Sequence, residues 1–153
     1  MSAKTARERA RKLNEMACAL LAEEVAEKPV IIDQKEMEEL LKPQFGDYQE
    51  ERFVALFFDQ GRRLLGMKKF DGGSRTRTVL YPRQLFKAAF EFDATGMVLA
   101  HNHPGGSTLP SMQDRELTRR VQQIGESLEL TLIDHLIITA NNGTSSFREK
   151  GYM

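Results

Sequence analysis

The stretch MVLAHNHPGGSTLPSMQD, residues 97–114, joins an apolar segment to the start of a helix. Its MVLA segment is apolar without alternation, which is typical of an interior strand covered on both faces. Pro104 ends the strand pairing, Gly105-Gly106 allow a sharp turn, and Pro110-Ser111 begins a helix. The stretch therefore predicts a central strand with a helix starting beside its end.

Strand and helix patterns alternate on both sides of this stretch. The predicted elements are a hairpin of strands 52–59 and 63–70 turning at Gln60-Gly61, a TRTVL strand at 76–80, a helix from Pro82 to about Phe92, a helix from Ser111, a strand at 130–139 and an edge strand at 145–149. This order predicts an α+β fold with α/β/α-like layers, in which helices flank a mixed central β-sheet.

The N-terminal residues predict added helical structure. Residues 3–27 contain no glycine or proline, and their apolar positions recur at helical spacing, so we expect one long amphipathic helix. A short strand at 29–32 and a helix capped by Asp33 follow, and PQFGDYQ at 43–49 has the pattern of a loop. We therefore divide the chain into an N-terminal helical extension, residues 1–45, and a main domain, residues 46–153.

Composition limits the class of protein. The chain has 153 residues, 41% of them hydrophobic, and 22 basic residues balance 22 acidic ones. Its apolar runs are too short to span a bilayer and its N-terminus is charged, so we expect no membrane association and a cytoplasmic location. The single cysteine, Cys18, cannot form an internal disulfide and is expected to pack within a helix.

Basic residues predominate between positions 62 and 87. This region carries Arg62, Arg63, Lys68, Lys69, Arg75, Arg77, Arg83 and Lys87 against Asp71. A solvated and partly snorkelling set of charges on a hairpin and a helix is the favoured interpretation, because long basic side chains commonly lie over apolar surface with their charged ends in water. Nucleic-acid binding through this region is the alternative.

The histidines and Asp114 have the spacing of metal ligands. In a strand, side chains two residues apart leave the same face, so His101 and His103 can point at one spot. Asp114, in the first turn of the next helix, can bring a carboxylate to the same place. Two histidines and one carboxylate leave a tetrahedral metal one open position, as in catalytic zinc sites, although the same set also suits non-haem iron. Alternatively, Ser111-x-x-Asp114 is only a helix capping box and the histidines are hydrogen-bonded polar groups.

The motif H-N-H-P followed by P-S-x-x-D, with ten residues between His103 and Asp114, resembles the metal-binding signature of the JAB/MPN (JAMM) metalloprotease superfamily. The chain is similar to the RadC family over about residues 48–151, through the segments HNHPGG, PSMQDRELTRR, YPRQLFKAAF and LIDHLII together. The resemblance implies a JAB/MPN-like fold, a Zn²⁺ ion held by His101, His103 and Asp114, and hydrolysis of an amide, peptide or isopeptide bond in a peptide or protein substrate.

The resemblance also implies two catalytic residues. Glu51, two positions before Phe53, matches the family's general base, with Glu50 as the alternative if the register slips by one. Ser111 matches a serine that hydrogen-bonds the oxyanion. His135 could orient a metal ligand, but a structural hydrogen bond within the sheet is the favoured interpretation.

The chain departs from the RadC pattern at two places. Gly105 replaces the serine of the usual HNHPSG, and the residues before Gly46 contain no glycine, which the family's helix-hairpin-helix DNA-binding part requires. The implied link to DNA repair is therefore weaker for this chain. A non-catalytic metal-binding adaptor remains a further alternative, and the alanine-lined N-terminal helix makes a homodimer plausible.

Overall fold

The computed structural model describes residues 33–46, 49–70 and 79–153. Within these ranges the strands are β1 Phe53–Phe58, β2 Leu64–Phe70, β3 Gly96–Asn102, β4 Thr131–Ile138 and β5 Thr144–Ser146. They form one five-stranded sheet in the order β2-β1-β3-β4-β5. The sheet is mixed, because β3 pairs antiparallel with β1 and parallel with β4.

Helices cover both faces of the sheet. The helical elements of the described residues are α1 Gln34–Leu41, a 3-10 helix Lys42–Phe45, α2 Pro82–Glu91 and α3 Met112–Ser127. Apolar side chains of α2 and α3 pack on one face, and Leu41 and Phe45 pack on the other. The predicted α+β fold with helices on both sides of a mixed sheet is confirmed.

Strand β3 lies at the centre, and all seven of its residues are buried. Met97 and Leu99 belong to the cluster beneath α2 and α3, whereas Val98 and Ala100 belong to the cluster beneath α1. His101 continues the alternation of Met97 and Leu99, so its side chain leaves the sheet on the α3 side. The apolar alternation of one strand thus directs the first histidine toward the helix that carries Asp114.

Two predicted segments, the loop at 43–49 and the strand at 76–80, need correction. The 43–49 loop is wrong at its start, because a 3-10 helix covers Lys42–Phe45. Phe45 is only 1% exposed, and burying such a side chain contributes about 1.5–3 kcal/mol, which offsets the poorer hydrogen bonds of a 3-10 turn. In the expected strand at 76–80, Val79 and Leu80 are not in a strand, and residues 76–78 lie outside the described ranges.

The C-terminal elements are shorter than expected. The edge strand ends at Ser146 rather than 149, because the chain turns there: the Lys150 amide donates to the Ser146 carbonyl at 3.1 Å. Helix α3 ends at Ser127, and Leu128, expected on its buried side, is 44% exposed. Neither change moves the strands that carry the histidines.

The N-terminal expectations are not tested. The helix at 3–27, the strand at 29–32 and Cys18 lie outside the described residues, and the boundary between 45 and 46 stays a prediction. Within the described ranges, no helix combines the length and apolar character needed to cross a membrane.

Candidate metal centre

Four side chains that bear potential metal ligands meet at one end of the sheet. Glu51 lies just before β1, His101 near the end of β3, His103 just beyond it, and Asp114 in the first turn of α3. One nitrogen or carboxylate oxygen from each of them lies within 4.8 Å of the others, and the group could hold a metal ion. Residues far apart in the chain are therefore close together at the expected place.

The two imidazoles direct the same ring atom toward each other. The Nε2 atoms of His101 and His103 lie 2.9 Å apart. The ring of His101 is fully buried and stacks on Phe53, with 5.0 Å between ring centroids. On the far side of the other ring, Nδ1 of His103 lies 2.8 Å from the Ser107 carbonyl oxygen. Because a carbonyl only accepts, this Nδ1 donates, and Nε2 of a neutral His103 carries a lone pair.

The Asp114 carboxylate faces both imidazoles. Its Oδ1 lies 3.3 Å from Nε2 of His101, and its Oδ2 lies 3.1 Å from Nε2 of His103. The same residue forms the capping box of α3, since Oδ2 accepts from the Ser111 amide at 2.7 Å and the Asp114 amide donates to Ser111 Oγ at 3.0 Å. Capping and metal-ligand geometry, which the sequence left as alternatives, are therefore compatible.

Electrostatics favour an anionic carboxylate at this place. Burial alone would raise the pKa of Asp114, but hydrogen bonds from the imidazoles of His101 and His103 in their protonated forms outweigh it and hold the pKa well below its ordinary value of 3.8. The hydrogen bond to Asp114 raises the pKa of His103 above 6.5, although burial acts in the opposite direction. The metal-free centre is thus a negative carboxylate that attracts positive charge.

A cation fits this donor set. Two Nε2 lone pairs 2.9 Å apart repel each other unless a proton or a metal ion lies between them and the carboxylate. Imidazole nitrogen and carboxylate oxygen are ligands of zinc and of several transition metals. The geometry therefore provides three inward-facing donors from His101, His103 and Asp114.

Asn102, which the sequence reasoning missed, holds the segment that carries Glu51. Its Nδ2 donates to the Glu50 carbonyl at 2.8 Å, and its Oδ1 accepts from the Arg52 amide at 2.7 Å. Both neighbours of Glu51 are thereby fixed to the residue between the two histidines. Of the two candidate acids, Glu51 lies with the histidines, whereas Glu50 is exposed and pairs with Arg52 at 3.5 Å. The polar residue inside H-N-H was the one signal that could have pointed to this contact.

His135 lies directly behind His101. Its Nε2 is 2.8 Å from Nδ1 of His101, and its Nδ1 is 2.7 Å from Thr118 Oγ1. The side chain therefore contacts a candidate ligand and a residue of α3, instead of forming only a bond within the sheet. Thr118 gave no signal in the sequence beyond its place one helical turn after Asp114.

A family model described as the RadC-like JAB domain matches residues 31–152. The chain belongs to this family. The matched range of the RadC-like JAB domain includes α1 as well as the residues that carry the sequence resemblance.

Curated relatives of this RadC-like JAB chain are similar along most of its length. A UPF0758 protein of Burkholderia cenocepacia is 34% identical over 141 residues, covering 92% of the chain and 54% of the relative. A UPF0758 protein of Burkholderia thailandensis is 35% identical over 139 residues, covering 91% and 53% respectively. The chain therefore spans about half the length of the curated relatives it matches.

Proposed function

We propose that this chain is a zinc-dependent hydrolase of the JAMM type, which cleaves an amide, peptide or isopeptide bond. The observation that carries the proposal is the meeting of Glu51, His101, His103 and Asp114 at one end of the sheet. Their chemistry corresponds to three metal ligands and one separate proton acceptor. In such a site Zn²⁺ supplies Lewis-acid activation of water for attack on a carbonyl.

The ligands in this proposal are His101, His103 and Asp114. Three protein ligands leave a tetrahedral ion one position for water or substrate, which distinguishes catalytic from structural zinc sites. Zinc is proposed over iron because of the family, since the donors alone suit both metals. Metal analysis of the purified protein distinguishes the two.

Glu51 is the proposed general base. Its side chain is half-buried and lies within reach of the histidines, so it can accept a proton from the attacking water and return it to the leaving amine. Proton transfer by a positioned carboxylate contributes about 10²–10⁴-fold to rate. The hydrogen bonds of Asn102 to both neighbouring residues support this role, because they restrict where Glu51 can lie.

Ser111 is the proposed donor to the oxyanion. Its Oγ accepts from the Asp114 amide at 3.0 Å, a bond that uses a lone pair and leaves the hydroxyl proton available to a substrate. One hydroxyl can therefore cap α3 and donate to developing negative charge. Removal of one such donor from an enzyme typically costs roughly 2.7–4 kcal/mol of transition-state stabilisation.

A groove beside the centre supports a polypeptide substrate. It has a volume of about 590 Å³, and Glu51 and Asp114 form part of its wall. Apolar side chains form most of the remaining wall, namely Phe53, Val79, Leu80, Met112 and Leu117, and Gln113, Glu116 and Arg120 complete it. Val79 is 57% and Met112 85% exposed, so apolar surface is available next to the proposed reaction centre. We infer that the substrate places an apolar residue beside the cleaved bond.

The test combines metal content with product chemistry. Zinc-loaded protein is incubated with a library of linear and lysine-branched peptides in water labelled with heavy oxygen, and mass spectrometry detects new carboxylates carrying the label. We expect labelled products from the wild type and at least a hundredfold fewer from Glu51→Gln. Glu50→Gln is the matched control and should behave like the wild type.

Three results would contradict parts of the proposal. Absence of stoichiometric metal, or unchanged metal content in His103→Ala, would exclude the metal centre. Equal product from wild type and Glu51→Gln would exclude Glu51 as the base. Wild-type zinc binding without any labelled product from the library would instead favour a non-catalytic metal-binding adaptor.

Nucleic-acid binding through residues 62–87 stays a prediction. Arg75 and Arg77 lie outside the described residues, and Lys68 and Lys87 each lie 3.9 Å from Glu91, which offsets part of the positive charge. Salt-sensitive retardation of DNA or RNA that weakens in the Arg75→Gln/Arg77→Gln variant would support it. Homodimer formation and a cytoplasmic location likewise stay predictions.

A further inference from the structure

A chain of buried hydrogen bonds runs from the backbone of α3 to the ring of His101. Thr118 Oγ1 lies 2.7 Å from the Asp114 carbonyl oxygen and 2.7 Å from Nδ1 of His135. Nε2 of His135 lies 2.8 Å from Nδ1 of His101. Thr118 is 1% exposed and both rings are fully buried, so no solvent-exposed group interrupts the chain.

The direction of the protons follows from the first bond. A carbonyl oxygen only accepts, so the single hydroxyl proton of Thr118 must point to the Asp114 carbonyl. The hydroxyl then has only lone pairs to offer His135. Nδ1 of His135 must therefore carry a proton and donate it to Thr118.

The second ring transmits this constraint. The ring of His135 is fully buried, and its hydrogen-bond partners are the Thr118 hydroxyl and the ring of His101, so no carboxylate in this chain of bonds compensates a charge on it. Burying an uncompensated charge is costly, so the ring is neutral and carries one proton only. Because that proton is on Nδ1, Nε2 of His135 is an acceptor and Nδ1 of His101 must donate to it. Nε2 of a neutral His101 is then left with a lone pair, which faces Asp114 at 3.3 Å.

We propose that Thr118 and His135 are positioning residues that fix the tautomer of His101, so that its Nε2 lone pair faces the metal centre. Neither residue is a ligand. The inference rests on the metal centre proposed above, but its tautomer component holds for the metal-free protein as well. Partners of this kind orient ligating histidines, and their loss commonly costs 10–100-fold in metal affinity.

The packing of His135 supports a fixed ring. Phe147 stacks on it with 4.4 Å between centroids and an interplanar angle of 22°, so the ring plane is held while both nitrogens remain in their hydrogen bonds. His103 provides an internal comparison, because its Nδ1 donates directly to the Ser107 carbonyl without an intervening side chain. A change in Thr118 should therefore alter His101 and leave His103 unaffected.

The matched pair Thr118→Val and Thr118→Ser isolates the hydroxyl. Valine keeps the shape but leaves the Nδ1 proton of His135 without an acceptor. The favoured place for that proton becomes Nε2, which forces the proton of His101 onto its own Nε2 and blocks the ligand atom. Serine keeps the hydroxyl and loses only a methyl group.

Two measurements test the inference. NMR of isotope-labelled histidine ring nitrogens, at alkaline pH without metal, should show His101 protonated at Nδ1 in the wild type and in Thr118→Ser. In Thr118→Val the proton should move wholly or partly to Nε2, while His103 is unchanged. Zinc affinity, measured by competition with a chelator, should fall roughly 10–100-fold in Thr118→Val and by less than about threefold in Thr118→Ser.

The outcomes separate this inference from the proposed hydrolysis. A wild-type His101 protonated at Nε2 overturns the inference without any variant, and so does a folded Thr118→Val with wild-type tautomer and zinc affinity. If Thr118→Val does not fold, two other results decide: the tautomer of His101 in the wild type, and the zinc affinity of His135→Gln compared with that of His135→Leu. The amide oxygen of the introduced glutamine can accept from Nδ1 of His101, so the inference expects His135→Gln to bind zinc more tightly. Zinc binding with the expected tautomer but no hydrolysis would leave the inference standing and contradict only the proposed reaction.

Discussion

The Oδ2 atom of Asp114 lies 3.1 Å from Nε2 of His103 while it also accepts a hydrogen bond from the Ser111 amide. One carboxylate thus stabilises the start of α3 and faces the candidate metal position. The helix start and the candidate metal centre therefore share an atom.

The two roles of Asp114 can be separated by substitution. Asp114→Asn retains an oxygen able to accept from the Ser111 amide but loses the negative charge that attracts the metal. Loss of a residue that hydrogen-bonds to a metal ligand commonly lowers metal affinity 10–100-fold, and we expect the change of a ligand itself to lower zinc affinity by at least as much. The protein should still be folded. Chelator competition and circular dichroism measure the two effects.

Ser111→Ala is the complementary variant. It removes the acceptor for the Asp114 amide and should lower the free energy of unfolding by about 0.5–2 kcal/mol, as loss of a helix N-cap does. Zinc affinity should stay close to wild type, because Asp114 keeps its bond to the Ser111 backbone amide. A loss of zinc binding without loss of stability in urea unfolding would show that the hydroxyl acts on the metal instead.

Asn102→Ala should impair hydrolysis more than metal binding. The substitution removes the hydrogen bonds to the Glu50 carbonyl and the Arg52 amide, so the backbone on both sides of Glu51 is no longer held. A displacement of about 1 Å in a catalytic group can cost on the order of 10²-fold in rate. We expect kcat to fall by about that factor while zinc stoichiometry is retained, and an equal loss of both would contradict a role specific to Glu51.

The two glycines after Pro104 should respond in opposite ways to alanine. Gly106 has φ +80 and its amide donates to the His103 carbonyl at 3.0 Å, so Gly106→Ala places an L side chain in the left-handed region and should destabilise the protein by about 1 kcal/mol or more. Gly105 is outside that region, and an added Cβ would meet nothing within 4 Å. Gly105→Ala should therefore stabilise the loop by about 0.4–1 kcal/mol in urea unfolding.

The metal-free protein should have a stability maximum near pH 6.5, because the pKa values of His135 and His103 are shifted in opposite directions by folding. Burial lowers the pKa of His135, so the unfolded state gains a proton that the folded state does not, and stability falls as pH falls below 6.5. The bond to Asp114 raises the pKa of His103, so its contribution is complete below 6.5 and is lost as pH rises through the raised value.

Urea unfolding across pH, with and without zinc, measures this behaviour. His103→Gln should abolish the loss of stability above pH 6.5. Saturating zinc should also abolish it, because binding displaces the proton from His103. The test compares the free energy of unfolding of the metal-free wild type with that of His103→Gln. If the wild type does not lose stability relative to this variant between pH 6.5 and the raised pKa of His103, the ion pair between His103 and Asp114 contributes nothing to stability.

Some sequence predictions failed where long-range packing decides the local structure. The 43–49 segment has loop composition, but Phe45 packs beneath the sheet with Leu41 and holds a 3-10 turn. Val79 follows a β-like pattern, yet it lies beside the groove outside any strand. The packing of Phe45 in one cluster with sheet residues such as Val98 has no signal in local composition, because those residues are distant in the chain.

The sequence by itself determined the central strand, its following turn, the helix start at Ser111 and the same-face placement of His101 and His103, because these depend on local backbone geometry and residue spacing. Only the tertiary structure decided that Asp114 caps its helix and faces the imidazoles at the same time, that Asn102 holds the neighbours of Glu51, and that Thr118 meets His135 behind His101. Those contacts join separate elements, and their existence depends on how α3 and β1 pack against the sheet, which no local pattern specifies.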